Sequence, residues 1–227
     1  LVSRDKNLKS IEDFKNKEII VPFRADMPDI VMQALIKKSG LDIKNDFKLQ
    51  YVATPVDAMQ MLILRRADHA LLAEPAISIA LRKTGSFPVK LIAPDLYRSI
   101  NLQEEWGRLY KIEAKIPQAG LAIIGDTNGK EELISKVLAE YDKSLAWYKN
   151  NKEEASKLVV KTLPMLEEKG LADSIEYVRF ENINAINSKK DLEFFFDILM
   201  QNDSKLIGGK LPNEDFYYKW RIFQKYY

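Results

Sequence analysis

Residues 54–75 read TPVDAMQMLILRRADHALLAEP. Thr54, Pro55 and Asp57 supply an N-cap hydroxyl, a proline at the first helical position and a carboxylate at the third, so a helix is expected through Arg66. Asp68–Ala73 (DHALLA) follows as a short apolar run suited to a strand buried on both faces. Pro75 then opens a second helix carrying Ala76, Ile77, Ala80 and Leu81 until Gly85 stops it. A helix, a short strand and another helix joined by tight turns are the unit of a parallel sheet.

The same alternation extends on either side. Upstream, Glu18–Phe23 (EIIVPF) reads as a strand, and residues 26–39 read as a helix with Ile30, Val31, Ala34 and Leu35 on its inner face. Gly40 closes that helix where a left-handed residue is wanted, and Phe47–Val52 reads as a second strand. Downstream, Val89–Ala93 is expected to supply a fourth strand. Residues 95–117 break the pattern with a helical piece (LQEEWGRLYK), after which Ala119–Ile124 (AGLAII) again reads as a buried strand. The remainder is helical in period. Residues 129–149 carry Leu133, Ile134, Val137, Leu138, Tyr141, Leu145 and Tyr148 on one face. Asn151 with Glu154 starts a helix through about residue 163 and Ser188 with Asp191 starts another, while Pro212–Tyr227 reads as a helix dense in aromatics. A lone strand has no partner for its backbone groups, so the run Leu121–Ile124 implies pairing strands outside this sequence.

With 46% hydrophobic and 30% charged residues, the 227-residue chain has enough apolar content for one large core or two modest ones. Its 35 Lys and Arg are interleaved with 33 Asp and Glu, giving a net charge of +2 and no broad basic surface, which argues against nucleic acid as a partner. The absence of cysteine and the single histidine exclude disulfides, thiol nucleophiles and Cys/His zinc sites, and no cofactor is expected. Apolar runs such as Ala70–Ala73 fall far short of the roughly 20 residues that span a bilayer. Leu1–Lys17 is charged throughout and is not a signal peptide.

The segment Val56–Leu62 (VDAMQML) followed by Arg66–Pro75 (RADHALLAEP) resembles the nitrate/sulfonate/taurine type of ABC-transporter substrate-binding protein. In that family a helix with a D-A-x-x-x-L pattern leads through a short turn to a strand and then to an E-P dipeptide that opens the next helix. Leu8–Lys17 (LKSIEDFKNK) is similar to the family's approach to its strand, and Ile116–Gly120 (IPQAG) to its return strand. The resemblance covers roughly the whole sequence, and Arg65-Arg66-Ala67 stands where the family usually has a glycine turn. It implies an α/β fold of the type II periplasmic-binding-protein kind, with two lobes of parallel-rich sheet flanked by helices. Residues 1–17 would cross over from lobe one, 18–116 form lobe two, and 117–227 supply a return strand and C-terminal helices to lobe one. On this reading the sequence is a C-terminal fragment whose first lobe is incomplete. The complete protein would be a monomer in the periplasm or lipid-anchored outside the cytoplasmic membrane, and the fragment alone would self-associate. Its partners would be a small-molecule ligand and an ABC permease and ATPase complex.

Ligands of open α/β sheets bind at the carboxyl ends of the strands, here Pro22–Met27, Ala53–Pro55 and Ala73–Ala76. The candidate ligand-binding residues are therefore Arg24, Asp26, Met27, Thr54 and Glu74, joined by Gln118 from the return segment. The start of the helix near Asp26 offers backbone N–H groups to an anion, with Arg24 and Asp26 contributing one charge of each sign. Asp26 and Glu74 read equally well as plain helix caps, and His69 inside its apolar run reads as structural. Gly125–Gly129 (GDTNG) lacks both the EF-hand and P-loop spacings and reads as a turn. An enzyme on the same fold, a menaquinone-pathway-type lyase or a pyrimidine synthase using Asp26 or Glu74 as general base, is the alternative to a non-enzymatic receptor. A ligand-sensing domain of a signalling protein is a third reading.

Overall fold

A computed structural model of the chain describes residues 1–219. Two compact units are present, one formed by Leu1–Lys115 with Lys152–Val178, the other by Ile116–Asn151 with the chain from Arg179 onward.

The first unit is an α/β layer structure. Its sheet consists of β1 (Val2–Ser3), β2 (Glu18–Pro22), β3 (Lys48–Val52), β4 (His69–Ala70) and β5 (Tyr97–Arg98), in the order β3-β2-β4-β1-β5. β2 runs parallel to β3 over five residue pairs from Glu18–Lys48 to Pro22–Val52, and parallel to β4 through Ile20 and Ala70. β1 lies antiparallel between β4 and β5. The helices are α1 (Met27–Lys38), α2 (Ile43–Asp46), α3 (Pro55–Ile63), α4 (Ala76–Gly85), α5 (Val89–Ile92) and α6 (Leu102–Tyr110), with α8 (Lys152–Thr162) and α9 (Glu168–Ser174) from the later segment. α7 (Glu131–Asn150) and α10 (Lys189–Asn202) belong to the second unit.

The continuous apolar run of β2 follows from its position. Ile19 and Val21 point to a core shared with Phe14, Met32 and Ile36, whereas Ile20 points to the opposite core with Ala58, Leu62, Ile79 and Ala80. Successive side chains alternate faces, and both faces are covered by helices, so a polar residue fits at neither parity. Each fully buried aliphatic side chain contributes roughly 1.5–3 kcal/mol.

Local signals placed α1, α3, α4, α6, α8 and α10 where they are observed, to within a few residues. Gly40 has φ +81°, as a left-handed helix terminus requires. Other expectations fail. Val89–Ile92 is the short helix α5 and not a strand; the next strand of the sheet is β5 at Tyr97–Arg98, antiparallel to β1. The lysine in the run (VKLIA) and the adjacent prolines 88 and 94 suit a turn, and Leu91 and Ile92 stay exposed. Nor is there a strand at Ala119–Ile124: these residues make no sheet pairing among the described residues, and Leu121, Ile123 and Ile124 are exposed. An apolar run becomes a strand only where another strand receives its backbone groups. Conversely, the first residues of the chain, which carry no strand signal, supply β1, with Val2 and Ser3 fully buried in the sheet.

In the second unit, α7 buries none of its residues, and Leu133, Val137 and Tyr141 line an exposed row. Asn182 donates to Asp142 on α7 at 2.7 Å, and Tyr148 meets Phe180 edge-on at 5.3 Å. The helix expected over Pro212–Tyr227 is reduced to a single 3-10 turn at Glu214–Phe216 within the described residues; Trp220–Tyr227 lie outside them. Tyr217 is buried there and its hydroxyl donates to Glu193 on α10.

Two contacts in the first unit yield measurable consequences. At Gly170 on α9 an added Cβ would stand 2.5 Å from Ile79 Cγ1 and 3.0 Å from the Ile79 Cα on α4. Gly170→Ala therefore overpacks the α4–α9 contact at about 1–3 kcal/mol, against a helix-propensity gain of about 1 kcal/mol. A net fall in the urea midpoint at unchanged slope is expected. His69 is buried, with Nδ1 2.9 Å from Ser3 Oγ and its ring edge-on to Phe14, and burial holds its pKa below the ordinary 6.5. The unfolded chain then binds the proton more readily, so the stability due to neutral His69 is complete above about 6.5 and is lost as pH falls toward the lowered native value. In urea titrations across that window, His69→Gln should remove part of the slope.

Candidate functional site

Because β2, β3 and β4 are parallel, their carboxyl ends lie at one edge of the sheet, and α1, α3 and α4 all begin there. Arg24, Asp26, Met27, Thr54 and Glu74 occupy these three helix starts. Gln118 belongs to the second unit and is exposed on a segment without regular structure.

The start of α1 is the most constrained. Phe23 and Ala25 have φ of +53° and +62°, left-handed values that cost a residue with a Cβ about 1 kcal/mol or more each. Hydrogen bonds offset this. Phe23 N donates to the Val52 carbonyl at 3.1 Å, continuing the β2–β3 ladder by one residue. Ala25 N donates to Asp29 at 2.8 Å. Asp29 is fully buried and also accepts from Gln33 Nε2 at 2.9 Å and from the Tyr51 hydroxyl at 3.2 Å. Burial, followed by the Asp29 charge and hydrogen bond, pushes the Tyr51 hydroxyl above its ordinary pKa, so it remains a donor.

This loop geometry leaves Arg24 exposed, with its guanidinium 5.2 Å from the centre of the Tyr51 ring. Arg24 makes no ion pair among the described residues. Asp26 caps α1, accepting from Met27 N at 2.8 Å, and Pro28 has no N–H to offer. The helix start thus has fewer free donors than its position alone suggests, and Arg24 is a donor at this end that makes no side-chain hydrogen bond among the described residues.

α3 is similarly self-contained. Thr54 Oγ1 accepts from Asp57 N at 3.1 Å, and Asp57 accepts from Thr54 N at 3.0 Å, a reciprocal capping box. At α4, Glu74 accepts from Ser78 N at 3.0 Å and from Arg98 Nη2 at 2.7 Å, with its side chain 8% exposed. Arg98 also donates to Ser78 Oγ at 2.7 Å and lies 3.4 Å from the centre of the Tyr177 ring. Glu74 therefore orients an arginine that joins the sheet edge to the segment after α9.

Beside Arg98 a recess of about 240 Å³ is lined by Ser78, Arg82, Lys152, Asp173, Glu176 and Tyr177. Most of its charges are matched: Arg82 makes two hydrogen bonds to Asp173 at 2.7 and 2.8 Å, and Lys152 pairs with Glu176. Among the described residues no group of three or more His, Cys, Asp or Glu is arranged to hold a metal ion. No described helix is long and apolar enough to cross a membrane.

Sequence reasoning did not identify Asp29, Tyr51, Ser78, Arg98 or Tyr177. The acid at Asp29 reads from sequence as one more first-turn carboxylate, and Arg98 follows a segment with no periodic signal. Only the strand register brings Arg98 level with Ala70, through their common partner Val2.

No protein-family model matches the sequence, and no curated protein does. Solved structures share its fold. A crystal structure of an ABC transporter from Parabacteroides distasonis aligns at TM-score 0.65 and 19% identity, covering 91% of this chain and 68% of that one. The periplasmic aliphatic sulphonate binding protein SsuA from Escherichia coli aligns at 0.66 and 17%, covering 95% and 67%. The alkanesulfonate-binding protein SsuA from Xanthomonas axonopodis pv. citri, bound to MOPS, aligns at 0.51 and 13%, covering 88% and 63%. This chain spans about two thirds of the length of these proteins. At such identities the likeness is one of fold.

The different commitments of Arg24 and Glu74 separate them experimentally. Glu74→Ala strips Arg98 of its counter-charge and removes a helix cap, and should cost on the order of 2–4 kcal/mol in urea denaturation. Arg24→Ala should change stability by less than about 0.5 kcal/mol.

Proposed function

We propose that this chain is part of an extracytoplasmic solute-binding protein of an ABC importer, of the nitrate/sulfonate/taurine type, which takes up a small organic solute carrying an acidic group. The observation that carries this reading is the carboxyl edge of the first unit's sheet, where three helices begin and where Arg24 stands exposed without a carboxylate partner among the described residues. Edges of this kind are where open α/β sheets receive ligands. The fold likeness to the two sulfonate-binding proteins supports the transport role.

In this reading Arg24 binds the acidic group of the solute, since a planar guanidinium pairs well with carboxylate or sulfonate. Tyr51 supports the guanidinium from below, and Asp29 holds the loop that presents it. Asp26, two residues from Arg24, sets a negative charge at the same helix start, which disfavours a bare inorganic anion. Met27 and Thr54 flank the solute's organic body, and Glu74 acts through Arg98. Permease and ATPase subunits at the membrane receive the loaded protein.

Titration calorimetry and thermal shift of the chain with alkanesulfonates, nitrate, aromatic acids and pyrimidines test this directly. One organic acid class should bind, with Arg24→Ala weakening it by at least tenfold, the scale of a charged hydrogen bond worth about 1.5–3 kcal/mol. Binding of none of these classes, or chemical turnover of any of them, would reject the receptor reading.

A further inference from the structure

The apolar residues at and before α5 lie on the surface of the first unit. α4 and α5 are joined by Ser86–Pro88, and Phe87, Leu91 and Ile92 are 82%, 75% and 72% exposed. Arg65 Nη1 reaches the Ile92 carbonyl at 3.4 Å, which brings the end of α3, with Leu64 59% exposed, alongside. Large side chains this exposed and this close together mark a contact surface more often than chance scatter.

The surrounding charge identifies the partner. Lys83, Lys90, Arg65 and Arg66 are all exposed around these four side chains, and residues 82–92 contain no acid. Two carboxylates stand beside these stretches, Asp68, 3.9 Å from Arg4 Nε, and Asp95, which accepts from the Tyr97 hydroxyl at 3.2 Å, so the four exposed cations outnumber them. A second copy of the chain docked on the same surface would set these cations against their equivalents. An anionic bilayer satisfies both features at once, since apolar side chains enter the boundary between headgroups and acyl chains while lysine and arginine meet lipid phosphate.

We propose that the α4–α5 turn is a contact surface for membranes rich in anionic phospholipid, with Phe87, Leu91 and Ile92 entering the headgroup layer. The surface is separate from Arg24 and its loop, and the proposal does not depend on the identity of the solute.

Flotation of the full chain with vesicles of phosphatidylcholine alone, and of phosphatidylcholine mixed equally with phosphatidylglycerol, provides the test. Binding should favour the mixed vesicles and weaken with added salt. The double variant K83Q/K90Q should lose about 25-fold in partition, at about fivefold per lysine. The triple variant F87S/L91S/I92S should lose about tenfold or more, and both variants should keep the parental urea midpoint because the altered side chains are exposed. The proposal is overturned if the mixed vesicles are not bound, if both variants bind them as the parent does, or if the apolar variant abolishes concentration-dependent self-association without any vesicle binding. In that last case the surface takes a second copy.

Discussion

Parallel pairing of β2 with β3 and β4 is the constraint on which the first unit depends. A parallel neighbour is reached only by a crossover that returns the chain to the starting edge, so α1 and α3 each begin where a strand has just ended, and α4 begins at the same edge after β4. The helices that complete this geometry cover both faces of β2, which explains why Ile19, Ile20 and Val21 are all apolar. The same arrangement gathers the loops at Phe23–Asp26, Ala53–Thr54 and Ala73–Pro75 along one rim. Core packing and site placement are consequences of a single pairing pattern.

What the rim does chemically depends on how each helix start is capped. Asp26, Thr54 with Asp57, and Glu74 each take a first-turn donor, and Pro28 and Pro55 have no N–H to give. Helix dipoles still favour negative charge there, but direct hydrogen bonds to a bound anion fall largely to side chains. Arg24 is an exposed side chain at this rim, on a loop where Asp29 accepts from the N–H of Ala25, whose φ is left-handed.

The sequence made the short-range part of this legible. Pro55 and Asp57 mark the start of α3, Gly40 marks the end of α1, and the EIIVPF run marks a strand buried on both faces, because each signal is local. Long-range pairing was not legible. Leu1–Ser3 has no periodicity to distinguish it from a linker, yet it lies in the sheet; Val89–Ala93 and Ala119–Ile124 are apolar enough for strands, yet neither is one. A two-residue strand is defined by its neighbours and not by its composition. The rim shows the same division: caps follow from residue type at a given offset, whereas the Glu74–Arg98–Tyr177 contact joins residues far apart in sequence, and nothing in the local pattern signals it.

The position of β1 bears on the order in which the first unit assembles. The succession β2, α1, β3, α3 and β4 condenses through contacts between neighbouring segments, each closing a modest loop. β5 has no such route, because its only sheet partner among the described residues is β1, and the pairing of Val2 with Arg98 encloses nearly the whole of the preceding α/β segment. That closure is favourable only once β4 offers its other edge to β1, through Ala70 and His69. The parallel half of the sheet should therefore form early and the β1–β5 half late, with the rate of the last step set by the search for one short central strand.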